Sequence, residues 1–143
     1  MPRSVTIRRP EAPIRARIEL PRSKSVANRA LIAAQLAGDL GCVRAHGEAD
    51  DTRILYGLLR DRPRVQDCGL GGTTFRFLLA WAAVQEEAEH VVTGHARLLE
   101  RPHADLIEAL RALGASIERT PDGCRVTGKH LAGGTITLRS PIS

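Results

Sequence analysis

Two segments of the chain are almost wholly apolar and share one pattern. "NRALIAAQLA" (28–37) and "FRFLLAWAAV" (75–84) can be superposed with Arg29 over Arg76, and each follows a turn of small and hydroxyl residues. Helices that are apolar on nearly every side must be buried. The spacing of roughly 50 residues predicts an internal repeat of helix, strand, helix and strand. The fold class expected is therefore α+β, as mixed α/β repeats with helices packed beneath one sheet.

Period-two alternation, helical spacing and turn residues predict the remaining elements. Strands are expected at 14–20 ("IRARIEL"), 42–46 ("CVRAH"), 90–94, 115–119, 124–128 and 135–138. Helices are expected from Ser23 or Ser25 to Ala37, over 49–60 with Asp50 or Asp51 as the cap, after the glycine-rich turn at 67–72, and over 101–114 with Pro102 in the first turn. Trp81, inside an apolar helix, is expected in the core.

The charge of the chain favours anionic partners. The 143 residues carry a formal net charge of +5, which suits nucleic acid or small anionic metabolites. Aromatic residues make up only 3%, so the chain lacks the aromatic surface on which proteins that bind RNA or single-stranded nucleic acid stack bases. No apolar run approaches the roughly 20 residues of a membrane span, and "MPRSVTIRRP" has no hydrophobic signal region, so we expect a cytoplasmic protein.

The cysteines and histidines predict neither a disulfide framework nor a metal site. Cys42, Cys68 and Cys124 are odd in number, widely spaced and without a C-x-x-C pair, so we expect reduced thiols. The five histidines never fall four residues apart within one helical segment. Asp50 and Asp51 are better interpreted as helix-capping residues than as metal ligands, because neighbouring residues at a helix start point apart.

Cationic side chains mark the beginning of the first apolar helix. Lys24 is one of only two lysines among 21 basic residues, and Arg29 follows one turn later. The unpaired N–H groups and the positive dipole at such a helix start attract anions. A phosphate or carboxylate ligand is therefore predicted. "GLGGTT" (69–74) lacks the lysine of a P-loop and the spacing of a dinucleotide fingerprint.

Taken together, "PRSKSVANRAL", "ADDTRIL", "GLGGTTFRFL" and "ARLLERPHADLIEALRALGA" resemble the corresponding segments of the EPSP synthase (3-phosphoshikimate 1-carboxyvinyltransferase) family over nearly all of residues 14–143. That resemblance implies transfer of the enolpyruvyl group of phosphoenolpyruvate to the 5-hydroxyl of shikimate 3-phosphate, with release of phosphate. It implies no metal or organic cofactor. The related UDP-N-acetylglucosamine enolpyruvyl transferase fits less well, because a lysine-asparagine pair is expected there where this chain has Ser25 and its neighbours.

The resemblance also implies a set of site residues. Lys24 would act in catalysis and contact both substrates. Shikimate 3-phosphate would be held by Ser25, Arg29 and Ser143, and phosphoenolpyruvate by Gly72 and Arg97. Further possible contacts are Thr73 and Arg76. Glu100 and Arg101 have two interpretations, as substrate contacts or as a local ion pair. Leu70 stands where the family commonly has asparagine, and Arg22 where it has a small glycine.

The architecture implied is an inside-out α/β barrel, or α/β prism, of which this chain holds a part. Residues 1–20 would pack with a second domain, and residues 21–143 would form about two of three repeated units of the first. The general acid and base would come from the second domain, so this chain alone is expected to be inactive. Two other functions remain open: a non-catalytic module that binds anionic metabolites, and a basic nucleic-acid-binding domain.

Overall fold

The computed structural model describes residues 4–44, 47 and 49–138. In these ranges the helices are α1 (Lys24–Leu36), α2 (Asp50–Asp61), α3 (Gly72–Ala83), α4 (Ala96–Leu99) and α5 (Ala104–Ala112), and a short 3-10 turn spans Leu40–Cys42. The strands are β1 (Val65–Asp67), β2 (Glu89–Thr93), β3 (Ser116–Thr120) and β4 (Gly123–Thr127). The described chain is a mixed α/β structure with one four-stranded sheet.

Helix α3 lies at the centre of the structure. It contacts β2 and β4 on one side and α1, α2 and α5 on the others. Phe75, Leu78 and Leu79 are fully or almost fully buried, and Trp81 is 2% exposed. The expectation that this helix is enclosed and that Trp81 belongs to the core is confirmed.

The sheet has the strand order β1-β2-β4-β3. β1 and β2 are parallel, with Val65 opposite Val91, while β4 is antiparallel to both β2 and β3. Parallel strands need a crossover connection, and α3 supplies it between β1 and β2. As a result the carboxyl ends of β1 and β2 lie at the same edge of the sheet, beside the amino-terminal end of α3.

Three predicted strands are not strands in the described structure. Residues 14–20 have no regular structure and are exposed, Cys42 ends the 3-10 turn, and 135–138 are irregular; Ala45 and His46 lie outside the described residues. A strand needs a neighbouring strand to pair its backbone groups, and none of the four described strands pairs with these segments. By contrast β1, only three residues long, was not predicted.

The boundaries of two helices also differ from those predicted. Ala49 occupies the N-cap position of α2 without a side-chain cap, so Asp50 and Asp51 lie in the first turn rather than at the cap. The predicted helix 101–114 is instead α5 alone, which begins at Ala104, after Pro102. The repeat is therefore partial: helix–helix–strand comes first, and helix–strand–helix–helix–strand–strand follows.

Candidate functional site

Helix α1 begins at a capped, cationic end. The Ser23 side chain accepts a hydrogen bond from the backbone N–H of Val26 at 3.5 Å, so Ser23 is the cap and Ser25 lies exposed within the first turn. Lys24 Nζ lies 2.9 Å from Asp51 Oδ2, with 49% of the lysine side chain and 27% of the aspartate side chain exposed. This ion pair joins the beginning of α1 to the beginning of α2.

The beginning of α3 meets the same aspartate from another side. Thr74 Oγ1 donates a hydrogen bond of 3.1 Å to the backbone carbonyl of Asp51, and Thr74 is fully buried. The N-terminal ends of α1, α2 and α3 therefore meet at Asp51. Each N-terminal end presents unpaired N–H groups and the positive end of the helix dipole, so this part of the molecule attracts anions.

A buried polar pair holds the first two helix starts together. Thr52 Oγ1 donates to Asn28 Oδ1 at 2.8 Å, and both residues are fully buried. Hydrogen bonds shielded from water fix relative positions more firmly than exposed ones. The pair thus sets the register of α1 against α2, and with it the distance between Lys24 and Asp51.

The glycine-rich turn before α3 is braced by the segment that follows β2. His95 N–H donates to the Gly69 carbonyl at 2.8 Å, and Cys68 N–H donates to the Thr93 carbonyl at 2.9 Å. Gly94 packs so closely that a methyl group there would lie 2.7 Å from the Gly69 oxygen. The turn is therefore held by backbone contacts that only glycine permits.

Two guanidinium groups lie beside Gly72, the first residue of α3. A methyl group on Gly72 would be 2.8 Å from Arg101 Nη1 and 3.8 Å from Arg76 Nη1. Within the described residues, no carboxylate lies within 4.0 Å of either guanidinium. An anion approaching the N–H groups at the beginning of α3 would therefore meet two positive charges that no described acidic side chain pairs with.

Arg29, the sixth residue of α1, and Arg76, the fifth residue of α3, are oriented in a similar way. Arg29 Nη1 donates to the Ser25 carbonyl at 3.1 Å, and Arg76 Nη1 reaches Gly72, also four residues earlier. Both residues are exposed. The sequence superposition that placed Arg29 over Arg76 therefore has a counterpart in the structure, because each arginine folds back toward its own helix start.

The structure brings Arg101 into the site, a residue that the sequence left with two interpretations. No ion pair forms between Glu100 and Arg101 in the described chain. Arg97 lies exposed on α4, where its backbone N–H donates to His95 Nδ1 at 3.2 Å, and it is not among the three groups nearest to Gly72. Only the "ERP" motif in the sequence could have pointed to Arg101.

The other predicted site residues differ in exposure. Thr73 is half-buried in the first turn of α3, whereas Leu70 and Arg22 are exposed. Ser143 lies outside the described residues. The substrate roles of Lys24, Ser25, Arg29, Gly72, Arg97, Ser143, Thr73 and Arg76 stay predictions.

The described structure offers neither a cluster of metal-binding side chains nor a helix that could span a membrane. The described residues contain no group of three or more histidine, cysteine, aspartate or glutamate side chains that could hold a metal ion. Across the same residues, no helix has the length and apolar character needed to cross a membrane. The cytoplasmic location stays a prediction.

Comparison with known proteins gives one consistent result. The sequence profile of EPSP synthase (3-phosphoshikimate 1-carboxyvinyltransferase) matches residues 56–143. A 3-phosphoshikimate 1-carboxyvinyltransferase of Bacteroides fragilis is 37% identical over 91% of this chain and 32% of its own length. Those of Roseiflexus castenholzii and Aliivibrio fischeri are 36% identical (87% of this chain, 36% of the relative) and 32% identical (94% and 38%).

The chain spans about a third of the length of the curated relatives it matches. These comparisons support neither the separate metabolite-binding module nor the nucleic-acid-binding domain.

Proposed function

Because the chain belongs to the EPSP synthase family, we propose that it is the amino-terminal, substrate-holding part of an enzyme that transfers the enolpyruvyl group of phosphoenolpyruvate to the 5-hydroxyl of shikimate 3-phosphate. Inorganic phosphate is the second product. Both substrates carry several negative charges. The observation that supports this assignment best is the convergence of three helix starts on Asp51, with Lys24 and the Gly72 turn beside it.

Lys24 is proposed to exchange its partner when substrate binds. Its ion pair with Asp51 is half-exposed, and exposed pairs contribute only about 0–1 kcal/mol. A phosphate group carries up to two charges and several acceptor oxygens, so it competes well for the ammonium group. Asp51 therefore positions the Lys24 ammonium group through an ion pair weak enough for a substrate to displace, and the lysine can contact both substrates as they bind.

Gly72 and the arginines beside it are proposed to bind the phosphate of phosphoenolpyruvate. The absence of a side chain at Gly72 lets an oxygen approach the backbone N–H groups at the start of α3. Arg101, whose guanidinium already lies there, is added to the predicted set as a phosphate ligand. On the other side of Asp51, Ser25 and Arg29 are proposed to hold shikimate 3-phosphate, with Ser143 completing that site.

The chemistry needs groups that we assign to a second domain. Phosphoenolpyruvate is protonated at its methylene carbon, and the substrate hydroxyl gives up its proton as it attacks the adjacent carbon. The tetrahedral intermediate then loses phosphate together with a proton from the new methyl group, which restores the carbon–carbon double bond. The groups of this chain anchor charge during those steps, and closure of the second domain excludes water. We propose that residues 21–143 form about two of three units of an inside-out α/β prism and that residues 1–20 pack against the second domain.

Calorimetric titration of the 143-residue chain with shikimate 3-phosphate tests this proposal. Replacing Lys24 by alanine removes a charge-assisted contact, so we expect the dissociation constant to rise roughly 10-fold or more. Lys129→Ala is the matched control, because Lys129 is the only other lysine of the chain and is exposed. Its removal changes the net charge equally and should leave the affinity unchanged.

Equal affinities in the two variants would contradict the assignment of Lys24. Wild-type chain that fails to bind shikimate 3-phosphate at millimolar concentration would contradict the larger proposal that this part holds the substrate. The chain alone is expected to release no phosphate from the two substrates together.

A further inference from the structure

Arg101 lies in the segment between α4 and α5, and no described acidic group holds its side chain. Among the described residues, no carboxylate lies within 4.0 Å of its guanidinium. Its backbone N–H donates to the carbonyl of Leu98 at 3.1 Å, and Leu98 is fully buried. The position of the guanidinium beside Gly72 therefore depends on the backbone from which the side chain extends.

The Leu98 carbonyl receives a second hydrogen bond, from His103. The Nε2 atom of His103 lies 3.0 Å from this oxygen. Because a carbonyl only accepts, Nε2 carries the hydrogen. His103 is 4% exposed, and a hydrogen bond shielded from water holds its partners more firmly than an exposed one. The bond closes a loop from Leu98 to His103, and Arg101 lies inside this loop.

His103 also packs against the helix that begins at Gly72. The centroid of its ring lies 4.5 Å from that of Phe75, with an angle of 34° between the ring planes. Phe75 is almost fully buried and lies three residues after Gly72, in the first turn of α3. Aromatic pairs at such a distance stabilise packing beyond the area that they bury. One side chain thus connects the loop of Arg101 to the beginning of α3.

We propose that His103 is a positioning residue for the phosphate of phosphoenolpyruvate. Its Nε2–H holds the Leu98 carbonyl, and its ring packs against Phe75. Together these contacts keep the backbone of Arg101 close enough for the guanidinium to reach an anion at Gly72. His103 does not contact the substrate itself and acts through Arg101. The inference rests on the proposed function, in which Arg101 binds that phosphate.

The imidazole of His103 offers a measurement that needs no variant. Burial lowers its pKa, and the positive charges of Arg76 on α3, Arg119 on β3 and Arg101 lower it further, against the raising effect of the hydrogen bond to Leu98. A phosphate bound beside Arg76 and Arg101 brings negative charge, which favours the protonated imidazole. In ¹⁵N spectra recorded against pH, phosphoenolpyruvate should therefore raise the pKa of His103, and an unchanged pKa would overturn the proposal.

Two replacements of His103 separate the hydrogen bond from the bulk of the ring. In His103→Gln an amide N–H can replace the Nε2–H donor, whereas His103→Leu fills the space without a donor. Calorimetric titration of the 143-residue chain with phosphoenolpyruvate should show roughly fivefold weaker binding in His103→Leu and wild-type affinity in His103→Gln. His90→Leu is the control, because His90 is also buried but packs against Trp81, nine residues beyond Gly72. Its affinity should be that of the wild type.

A double-mutant cycle shows whether His103 acts through Arg101. Arg101→Gln alone should weaken binding roughly 10-fold, and adding His103→Leu should weaken it no further. Additive losses, equal losses in His103→Gln and His103→Leu, or unchanged affinity in a His103→Leu protein that urea unfolding shows to be folded would each overturn the positioning role alone. Unchanged affinity in Arg101→Gln would overturn both that role and the phosphate contact of Arg101 on which it rests.

Discussion

Replacing Gly72 by alanine separates anion binding from folding. The new methyl group would lie 2.8 Å from Arg101 Nη1, which is 0.6 Å inside the 3.4 Å at which ordinary contact begins. The atom that must move is the end of a flexible side chain, so the fold tolerates the change, and alanine favours helix by up to about 1 kcal/mol over glycine. The displaced guanidinium and the covered backbone N–H groups can then no longer bind an anion.

The magnitude follows from the contact that is lost. A hydrogen bond to a charged group contributes about 1.5–3 kcal/mol, which corresponds to roughly 10- to 150-fold in the dissociation constant. Calorimetric titration with phosphoenolpyruvate measures this change, and urea unfolding measures stability. We expect weaker binding together with a free energy of unfolding equal to or above that of the wild type.

Gly57→Ala is the matched control. Gly57 lies within α2, and a methyl group there meets nothing within 4 Å, so the substitution should stabilise the protein by about 0.5–1 kcal/mol without changing affinity. Unchanged affinity in a folded Gly72→Ala protein would refute the reasoning that an anion approaches this glycine. A large loss of stability in Gly72→Ala would refute the claim that the Arg101 side chain can move aside to make room for the methyl group.

Two further predictions concern titration. His103 has a lowered pKa in the fold, so below about pH 6.5 the unfolded chain binds a proton that the folded chain does not, and the free energy of unfolding decreases as the pH is lowered. Urea unfolding at pH 7.5 and 5.5 should show a smaller decrease in His103→Gln than in the wild type. An identical decrease in the two proteins would contradict this. Burial raises the pKa of Cys68 to about 12 and also raises that of Cys124, whereas Cys42 is exposed. At pH 8 a chromogenic disulfide reagent should therefore titrate one thiol quickly and all three only after denaturation, and two fast thiols would show that a buried cysteine is accessible.

The sequence predicted those elements whose cause is local. Helix α1 needs only its cap, its helix-forming residues and the terminating glycine at 38, whose φ is +79°. The enclosure of α3 followed from its lack of any polar face. Strand patterns were less reliable: 14–20 has the alternation of a strand but no partner in the structure, while β1 has little pattern and pairs with β2.

The family, the order of the main helices and the cationic character of the N-terminal ends of α1 and α3 could all be inferred from the sequence, because these features depend on residues close together in the chain. The contact of Lys24 with Asp51 and that of Arg101 with Gly72 join residues 27 and 29 positions apart, and both are seen only in the folded chain. The first depends on how α1 packs against α2, and the second on how the segment between α4 and α5 lies against the first residue of α3. That packing is a property of the whole fold, so no local pattern encodes it.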